Sequence, residues 1–392
     1  MFKNSFFVLF FIFITFVSAQ ERMLSPEAEI SVLTIGPGTL LNDAFGHSGF
    51  RVKDKTKGID LVFNYGVYDF EAENFYLKFA QGKLDYLIGL NYYEDFLESY
   101  IAQNRTIEEQ DLNLSTSEKQ ALFDYLLTNM KPENQRYLYD FFYDNCATKI
   151  KDVLQDVLNN TVVFHEPQNF ETKTFRILIH ENVKRNTWGA FGIDLALGSV
   201  IDKIAPPQDH MFLPKNIHAF FEEATIAGSD KKLVKNSRVI FKQLDTPAAT
   251  NFLTSPLMIM GVLGFLIVFI TYKDFKNNKR SVWLDTTLFT FTGLVGIMVV
   301  WLWFATDHSA THQNYNLLWA FLPNLFVMGQ LFKEKTSPWF IKYLKFLVIL
   351  LCLLTLHWSI GVQVFAIGLI PFLIALFARY VFLIRYLGWY KL

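Results

Sequence analysis

The sequence predicts an exported α+β domain followed by an all-α bundle of about five transmembrane helices. Three observations lead there. Residues 1–20 have the makeup of a secretory leader. The last third of the chain is dominated by uncharged runs of the length a helix needs to cross a bilayer core, about 20 residues. Charge is also divided unevenly: from residue 251 onward there are 11 Lys and Arg against 4 Asp and Glu, whereas residues 1–250 hold 25 against 33. The net charge of −1 therefore sums a basic part and an acidic part, and says nothing about nucleic acid. With 52% hydrophobic and 19% charged residues the chain is neither disordered nor a uniform soluble globule, and two cysteines in 392 residues exclude a disulfide scaffold.

The leader comes first. Lys3 supplies a positive start, residues 6–17 are an apolar run too short to span comfortably, and Val17, Ser18 and Ala19 offer small residues for cleavage. A signal peptide at 1–19 is expected, then an exported domain at 20–250 and a membrane domain at 251–392. The uncharged runs give spans at about 252–272, 286–306, 316–332, 338–357 and 360–379. On this arrangement every Lys and Arg after residue 251 falls on one side of the membrane, and the opposite loop at 307–316 has none. The positive-inside rule then puts the C-terminus in the cytoplasm and residues 20–250 outside.

Within the exported domain, residues 30–35 read as a buried strand, and 46–52 and 61–65 alternate as strands do. Residues 68–100 are dense in aromatics. A helix over 115–130 is announced by Ser115 with Glu118 three residues on, a capping box, followed by the apolar set Ala121, Leu122, Tyr125 and Leu126. A second helix over 146–158 carries Ile150, Val153, Leu154 and Val157 on one side. Residues 164–211, with Pro167, Pro206 and Pro207, read as loop with a short apolar piece at 193–200. The basic stretch 231–241 is expected to lead to the membrane. Strands before helices favour α+β.

Cys146 is the one cysteine of the exported part, since Cys352 lies in the fourth span. In Tyr143-Asp144-Asn145-Cys146-Ala147-Thr148-Lys149, Asn145 or Asp144 can cap the helix and place Cys146 in its first turn. There the helix dipole, free N–H groups and Lys149 favour thiolate over thiol, and the same N–H groups can form an oxyanion hole. A nucleophilic thiol needs a base. His47 lies between Gly46 and Gly49 at the start of a strand, whereas His165, His180, His210 and His218 read as surface residues. Asn64 and Asp60, on the next strand, are the candidates to orient the imidazole. With no second Cys and no close His pair in this domain, no metal is expected, and no cofactor. Taken singly, Cys146 also fits a small residue packing a helix start, and His47 an ordinary core or surface histidine.

Four stretches carry a resemblance. They are Phe45-Gly46-His47-Ser48; Asn64-Tyr65-Gly66 with Asn74-Phe75-Tyr76-Leu77-Lys78-Phe79; Tyr139-Asp140-Phe141-Phe142-Tyr143-Asp144-Asn145-Cys146-Ala147-Thr148; and Gly192-Ile193-Asp194-Leu195-Ala196-Leu197-Gly198 with Met211-Phe212-Leu213-Pro214. An early His and a later Cys reverse papain's order, as in the circularly permuted papain-like hydrolases and acyltransferases that include the lecithin:retinol acyltransferase group. More closely, the chain resembles the Lnb family of bacterial lipoprotein N-acyltransferases. That resemblance implies a circularly permuted papain-like thiol acyltransferase domain with a Cys146–His47 dyad, Asn145 and Tyr65 beside the substrate, a phospholipid as acyl donor and a diacylated apolipoprotein as acceptor. The loop 306–316 matches the family's membrane-side motif. Its His308 and His312, four apart, could share a helix face and bind metal, or, more simply, line with Asn314 and Asn316 a lipid-headgroup pocket under Cys146. Two other readings stay open: a membrane-tethered cysteine peptidase or amidase acting on cell-wall peptide, and a non-catalytic lipid-binding protein in which Cys146 is core.

Overall fold

The computed structural model describes residues 23–69, 73–83, 85–228, 231–245 and 252–389. The expected leader at 1–19 lies outside them. Strands β1 (Glu29–Ile35), β2 (His47–Asp54), β3 (Ile59–Val67), β4 (Asp85–Tyr92), β5 (Ile107–Leu112) and β6 (Arg136–Leu138) belong to one antiparallel sheet. Three two-residue strands, β7 (Val162–Val163), β8 (Thr225–Ile226) and β9 (Lys231–Lys232), pair separately, and β10 (Val234–Phe241) completes the large sheet in the order β10-β5-β1-β2-β3-β4-β6. The stretch expected to lead into the membrane is thus the sheet's edge strand. Its mostly exposed Lys and Arg side chains suit an edge, which is protected from further pairing by charge. Arg238 reaches inward to Glu109 at 2.8 Å, and the same carboxylate holds the buried Arg51 at 3.0 Å.

Helices α1 (Phe75–Gln81), α2 (Tyr93–Ala102), α3 (Thr116–Asn129) and α4 (Cys146–Val157) follow the aromatic and apolar patterns of the sequence. The capping box of α3 forms as expected, with Glu118 N donating to Ser115 Oγ at 3.3 Å and Ser115 N donating to Glu118 Oε2 at 2.7 Å. On α4, Ile150, Val153 and Leu154 are buried against Phe50, Phe63, Leu122 and Phe123, each side chain contributing about 1.5–3 kcal/mol by burial. That packing fixes the start of α4 against β2 and β3. The region expected as loop, 164–211, instead contains α5 (Phe175–Asn182) and α6 (Trp188–Ala196), capped by Thr174 and Thr187. Between them the buried Arg176 binds Asp194 and Asp202, both at 2.8 Å, so this segment folds around an internal charge rather than an apolar stripe. Helix α7 (Pro214–Glu223) closes the domain's core through Ile217, Phe220 and Phe221.

Among the described residues the membrane half has four helices long and apolar enough to cross a bilayer: α8 (Pro256–Lys276), α9 (Val282–Phe304), α10 (Pro338–Ser359) and α11 (Ile370–Trp389). The third expected span, 316–332, is not a fifth. It is broken into the turns Tyr315–Leu318, Asn324–Val327 and Met328–Phe332. It nevertheless runs the length of the bundle, since Tyr315 N binds Gln363 Oε1 beside the N-terminal domain and Leu331 O accepts from Arg280 at the opposite end. Irregular backbone at that depth is tolerated only when protein shields it. Helix α9 does so through glycine: a Cβ on Gly296 would stand 2.5 Å from Ala320 O. Asn324 adds a hydrogen bond to Thr292 Oγ1 at 2.8 Å and accepts from Tyr343 OH.

Arg379 was expected to end the last span. It lies inside α11, fully buried, and binds Asp285 and Asp274 at 2.7 Å each. A buried charge in a membrane protein persists only when neutralised in this way.

Candidate active site

His47 opens β2. Gly46, at φ +87°, turns the chain into the strand, and the register sets His47 opposite Ile35 at the end of β1. On the neighbouring strand Asn64 pairs with Gly49, which brings its side chain back to the imidazole: His47 Nε2 lies 3.3 Å from Asn64 Oδ1. Asn64 Nδ2 donates to Asn91 Oδ1 at 2.9 Å and to the carbonyl of Gly89 at 3.5 Å. A carbonyl only accepts, so the amide is fixed with its oxygen toward His47. Nε2 then carries the proton and Nδ1 is left as the acceptor. The other candidate orienter, Asp60, sits elsewhere. It grips Arg51 with both oxygens at 2.7 Å, about 13 Å along the strand from Asn64 at 3.3 Å per residue.

Cys146 is the first residue of α4. Asn145 caps it, accepting from Ala147 N at 2.8 Å and Thr148 N at 3.0 Å. The same side chain donates to Phe141 O at 2.6 Å and Phe212 O at 2.9 Å. Asn145 is therefore a buried four-bond clamp on the loop before Cys146, not a substrate-facing group. Gly66, at φ +90° where β3 bulges, opens the sheet beneath the thiol: a Cβ there would come within 3.6 Å of Cys146 Cβ. The backbone N–H groups of Ser48, Ala147 and Cys146 itself are directed at the sulfur. Ser48 follows His47 directly, so the start of β2 supplies an N–H donor to the thiol at the helix start.

The electrostatics differ from what a helix N-terminus alone suggests. Burial raises the Cys146 thiol to about 11; the N–H groups and the Arg105 cation pull it back only in part. Burial likewise lowers His47 to about 4, with the Asn64 bond opposing this and Arg105 adding to it. The resting pair is neutral thiol and neutral imidazole. Lys149, expected to favour the thiolate, is bound to Asp144 at 2.7 Å and sits over the Tyr137 ring. The nearby cation is Arg105, which sequence reasoning missed. Nothing marks it in Asn104-Arg105-Thr106 except the turn at Asn104, φ 52°.

Aromatic side chains wall the thiol. Tyr137 OH and Tyr139 lie within 4 Å of the Gly66 position, and Tyr86 stacks on Tyr139 at 4.1 Å. Tyr65 is buried and packs edge-on against Tyr137, as core rather than as an open contact surface.

The loop expected to line a headgroup pocket does something else. Asn314 and Asn316 are fully buried and donate to the carbonyls of Asp194, Leu195 and Ala196. His308 and His312 flank a 3-10 turn, Ser309–Thr311, rather than sharing an α-helical face. His308 contacts the carbonyls of Phe79 and Ala80 at the end of α1, and His312 is exposed. Ser309 Oγ donates to Asp140 Oδ2 at 2.6 Å, in the turn leading to Cys146. The loop thus ties the membrane half to the thiol-bearing turn by polar bonds. Among the described residues no cluster of three His, Cys, Asp or Glu could hold a metal ion. Of the other histidines expected at the surface, His210 is buried against Phe170 and His180 binds Asp194 at 2.9 Å.

Two family models match the chain in the order its two halves require. Residues 16–181, which include His47, Asn64, Arg105 and Cys146, match the Lnb N-terminal periplasmic domain; residues 248–388 match the Lnb transmembrane domain. No curated protein and no solved structure matches the chain. With a periplasmic domain carrying the thiol cleft and a helical membrane region bound to it, the chain belongs to the Lnb family, whose domains support a lipoprotein N-acyltransferase-type role in general.

Proposed function

We propose that the protein moves an acyl chain from a phospholipid to the α-amine of a diacylglyceryl-cysteine lipoprotein through a thioester on Cys146. The observation that carries this reading is the meeting of β2 and α4, where the residue after His47 directs its N–H at the Cys146 sulfur. His47 Nδ1 takes the thiol proton as the sulfur attacks an ester carbonyl. Backbone N–H groups stabilise the oxyanion. The lysophospholipid oxygen leaves with the proton held by the imidazolium, and the thioester remains. The lipoprotein amine then attacks the thioester carbonyl, its proton passes to His47, and His47 returns a proton to the departing thiolate. An amide forms and the dyad is restored. A neutral pair suits this cycle, because each half-reaction begins and ends with thiol or thioester and imidazole uncharged. Asn64 acts as positioning residue for the imidazole. The order of His, Asn and Cys along the chain supports a circularly permuted papain-like domain.

In this reading the leader at 1–19 is removed, residues 20–250 face the periplasm, and residues 251–392 cross the inner membrane with the C-terminus in the cytoplasm. The broken segment is the odd pass that makes these ends agree. The test is the N-terminal mass of a model lipoprotein from cells with and without the protein. The mass should rise by one acyl group with the wild type and not with Cys146→Ala or His47→Ala. An unchanged lipoprotein accompanied by cleaved cell-wall peptide would replace acyl transfer with amidase chemistry.

A further inference from the structure

Among the described residues four arginines are buried. Arg51, Arg176 and Arg379 each bind two carboxylates. Arg105, 4% exposed, binds none within 4.0 Å among the described residues. Its Nε donates to Gly36 O at 2.9 Å and its Nη1 to Gln103 Oε1 at 3.2 Å, while Nη2 is buried with no hydrogen-bond partner. A buried guanidinium with no carboxylate bound to it is costly, Asp43 acting on it only from beyond ion-pair distance, and an Arg fork is the group best matched to a phosphate. Its place is set by the sheet. Ile35 pairs with His47 on one side and Ile107 on the other, so Arg105 and His47 share one end of the sheet. Tyr100 lies between them, with the His47 ring stacked at 6.3 Å and the guanidinium 4.8 Å over the same ring.

We propose that Arg105 anchors an anion subsite beside the dyad, and that it holds the phosphodiester of the acyl-donor lipid while the ester carbonyl meets Cys146. This rests on the acyl-transfer reading above. The diacylglyceryl acceptor has no phosphate, so the subsite distinguishes donor from acceptor: a lipid bearing a phosphate is seated to acylate the thiol, and one without it is not.

The experiment follows acylation of Cys146 by mass in the full-length protein in detergent micelles. One donor is a phosphatidylethanolamine; the other is a diacylglycerol with the same two esters and no phosphate. The wild type should acylate from the phospholipid faster by roughly tenfold or more, the worth of one charge-assisted contact. Arg105→Gln should lose that preference by slowing the phospholipid reaction several-fold more than the diacylglycerol reaction, which slows only as far as the lost cation weakens the thiol, and Arg105→Lys, which keeps the charge, should recover part of it. Glycerophosphoethanolamine should compete with the phospholipid in the wild type and not in Arg105→Gln. Equal slowing with both donors would overturn the proposal, because Arg105 would then serve the dyad or the fold. Inorganic phosphate that accelerates the diacylglycerol reaction would overturn the assignment to lipid, since the subsite would take a free ion. An adduct formed without donor preference in the wild type sinks the subsite alone, whereas no adduct from either donor sinks the acyl-transfer reading with it.

Discussion

A Cys146 thiol raised to about 11 and a His47 imidazole lowered to about 4 make a sharp prediction for alkylation of Cys146. At pH 7.4 about 1 thiol in 4000 would be ionised, against roughly 1 in 14 for an unperturbed cysteine near 8.5, so reaction with a small haloacetamide should be roughly 300-fold slower than for free cysteine. The rate should climb about tenfold per pH unit up to pH 10 without a plateau. The assay is mass spectrometry of the Cys146 peptide in a Cys352→Ser background, which silences the other free thiol. His47→Ala should leave this profile nearly in place, because a neutral ring adds no charge to the cleft. Arg105→Gln should move the profile to still higher pH, since the cation favours the thiolate. A plateau below pH 8.5 that disappears in His47→Ala would refute the reasoning. It would mean that thiolate and imidazolium coexist at rest and that the helix end outweighs burial.

Other outcomes follow from the same geometry. Because the folded state holds His47 neutral, its contribution is fully present above pH 6.5 and is lost as pH falls toward 4, a change of about 3 kcal/mol that should flatten in His47→Gln when thermal midpoints are compared across that range. Asn145→Ala should cost about 1–2 kcal/mol for the lost cap and about 1–3 kcal/mol for each of the two carbonyls it leaves unpaired, read as a lowered thermal midpoint together with lost acylation. Gly296→Leu should abolish folded yield in detergent, because its side chain would displace the irregular pass, whereas Gly261→Leu, with open space around it, should be tolerated. Cysteines placed singly at His312 and Lys335, both exposed, should label with an impermeant maleimide from opposite sides of the membrane, His312 from outside.

What the sequence reveals follows what local chemistry dictates. The capping box at Ser115 needs no tertiary information, nor do the strands β1 to β3, read as one buried apolar run and two alternating ones, and all are in place. Helices α5 and α6 escape a reading by periodicity because each is short and the first buries Arg176, a charge that only its partners on distant residues make tolerable. Residues 316–332 are apolar enough for a helix. Hydropathy cannot register that Pro323 and the buried Asn316 and Asn324 belong to a segment shielded by glycines on another helix. In the site, His47, Cys146 and Asn64 are legible because their residue types carry chemistry. Asp60 and Asn64 lie on the same strand with the same parity, and the folded chain separates them by giving Asn64 the bond to His47 and Asp60 the bidentate bond to Arg51. Arg105 is invisible in sequence, since an arginine beside a turn is ordinarily exposed. Its meaning arises from a burial that only the folded chain reveals.

The central claim is a covalent acyl group on Cys146 that passes to an amine. The protein, given phospholipid and no acceptor, should accumulate a single acyl adduct on the Cys146 peptide, because a two-step enzyme deprived of its second substrate stalls at the covalent stage. Neutral hydroxylamine should release it, as it does a thioester. A diacylated lipopeptide with a free α-amine should discharge it, leaving a hydroxylamine-resistant amide, and a blocked amine should not. Continuous release of free fatty acid with no amide when the acceptor is abundant, or amide formation undiminished in Cys146→Ala, would contradict the account.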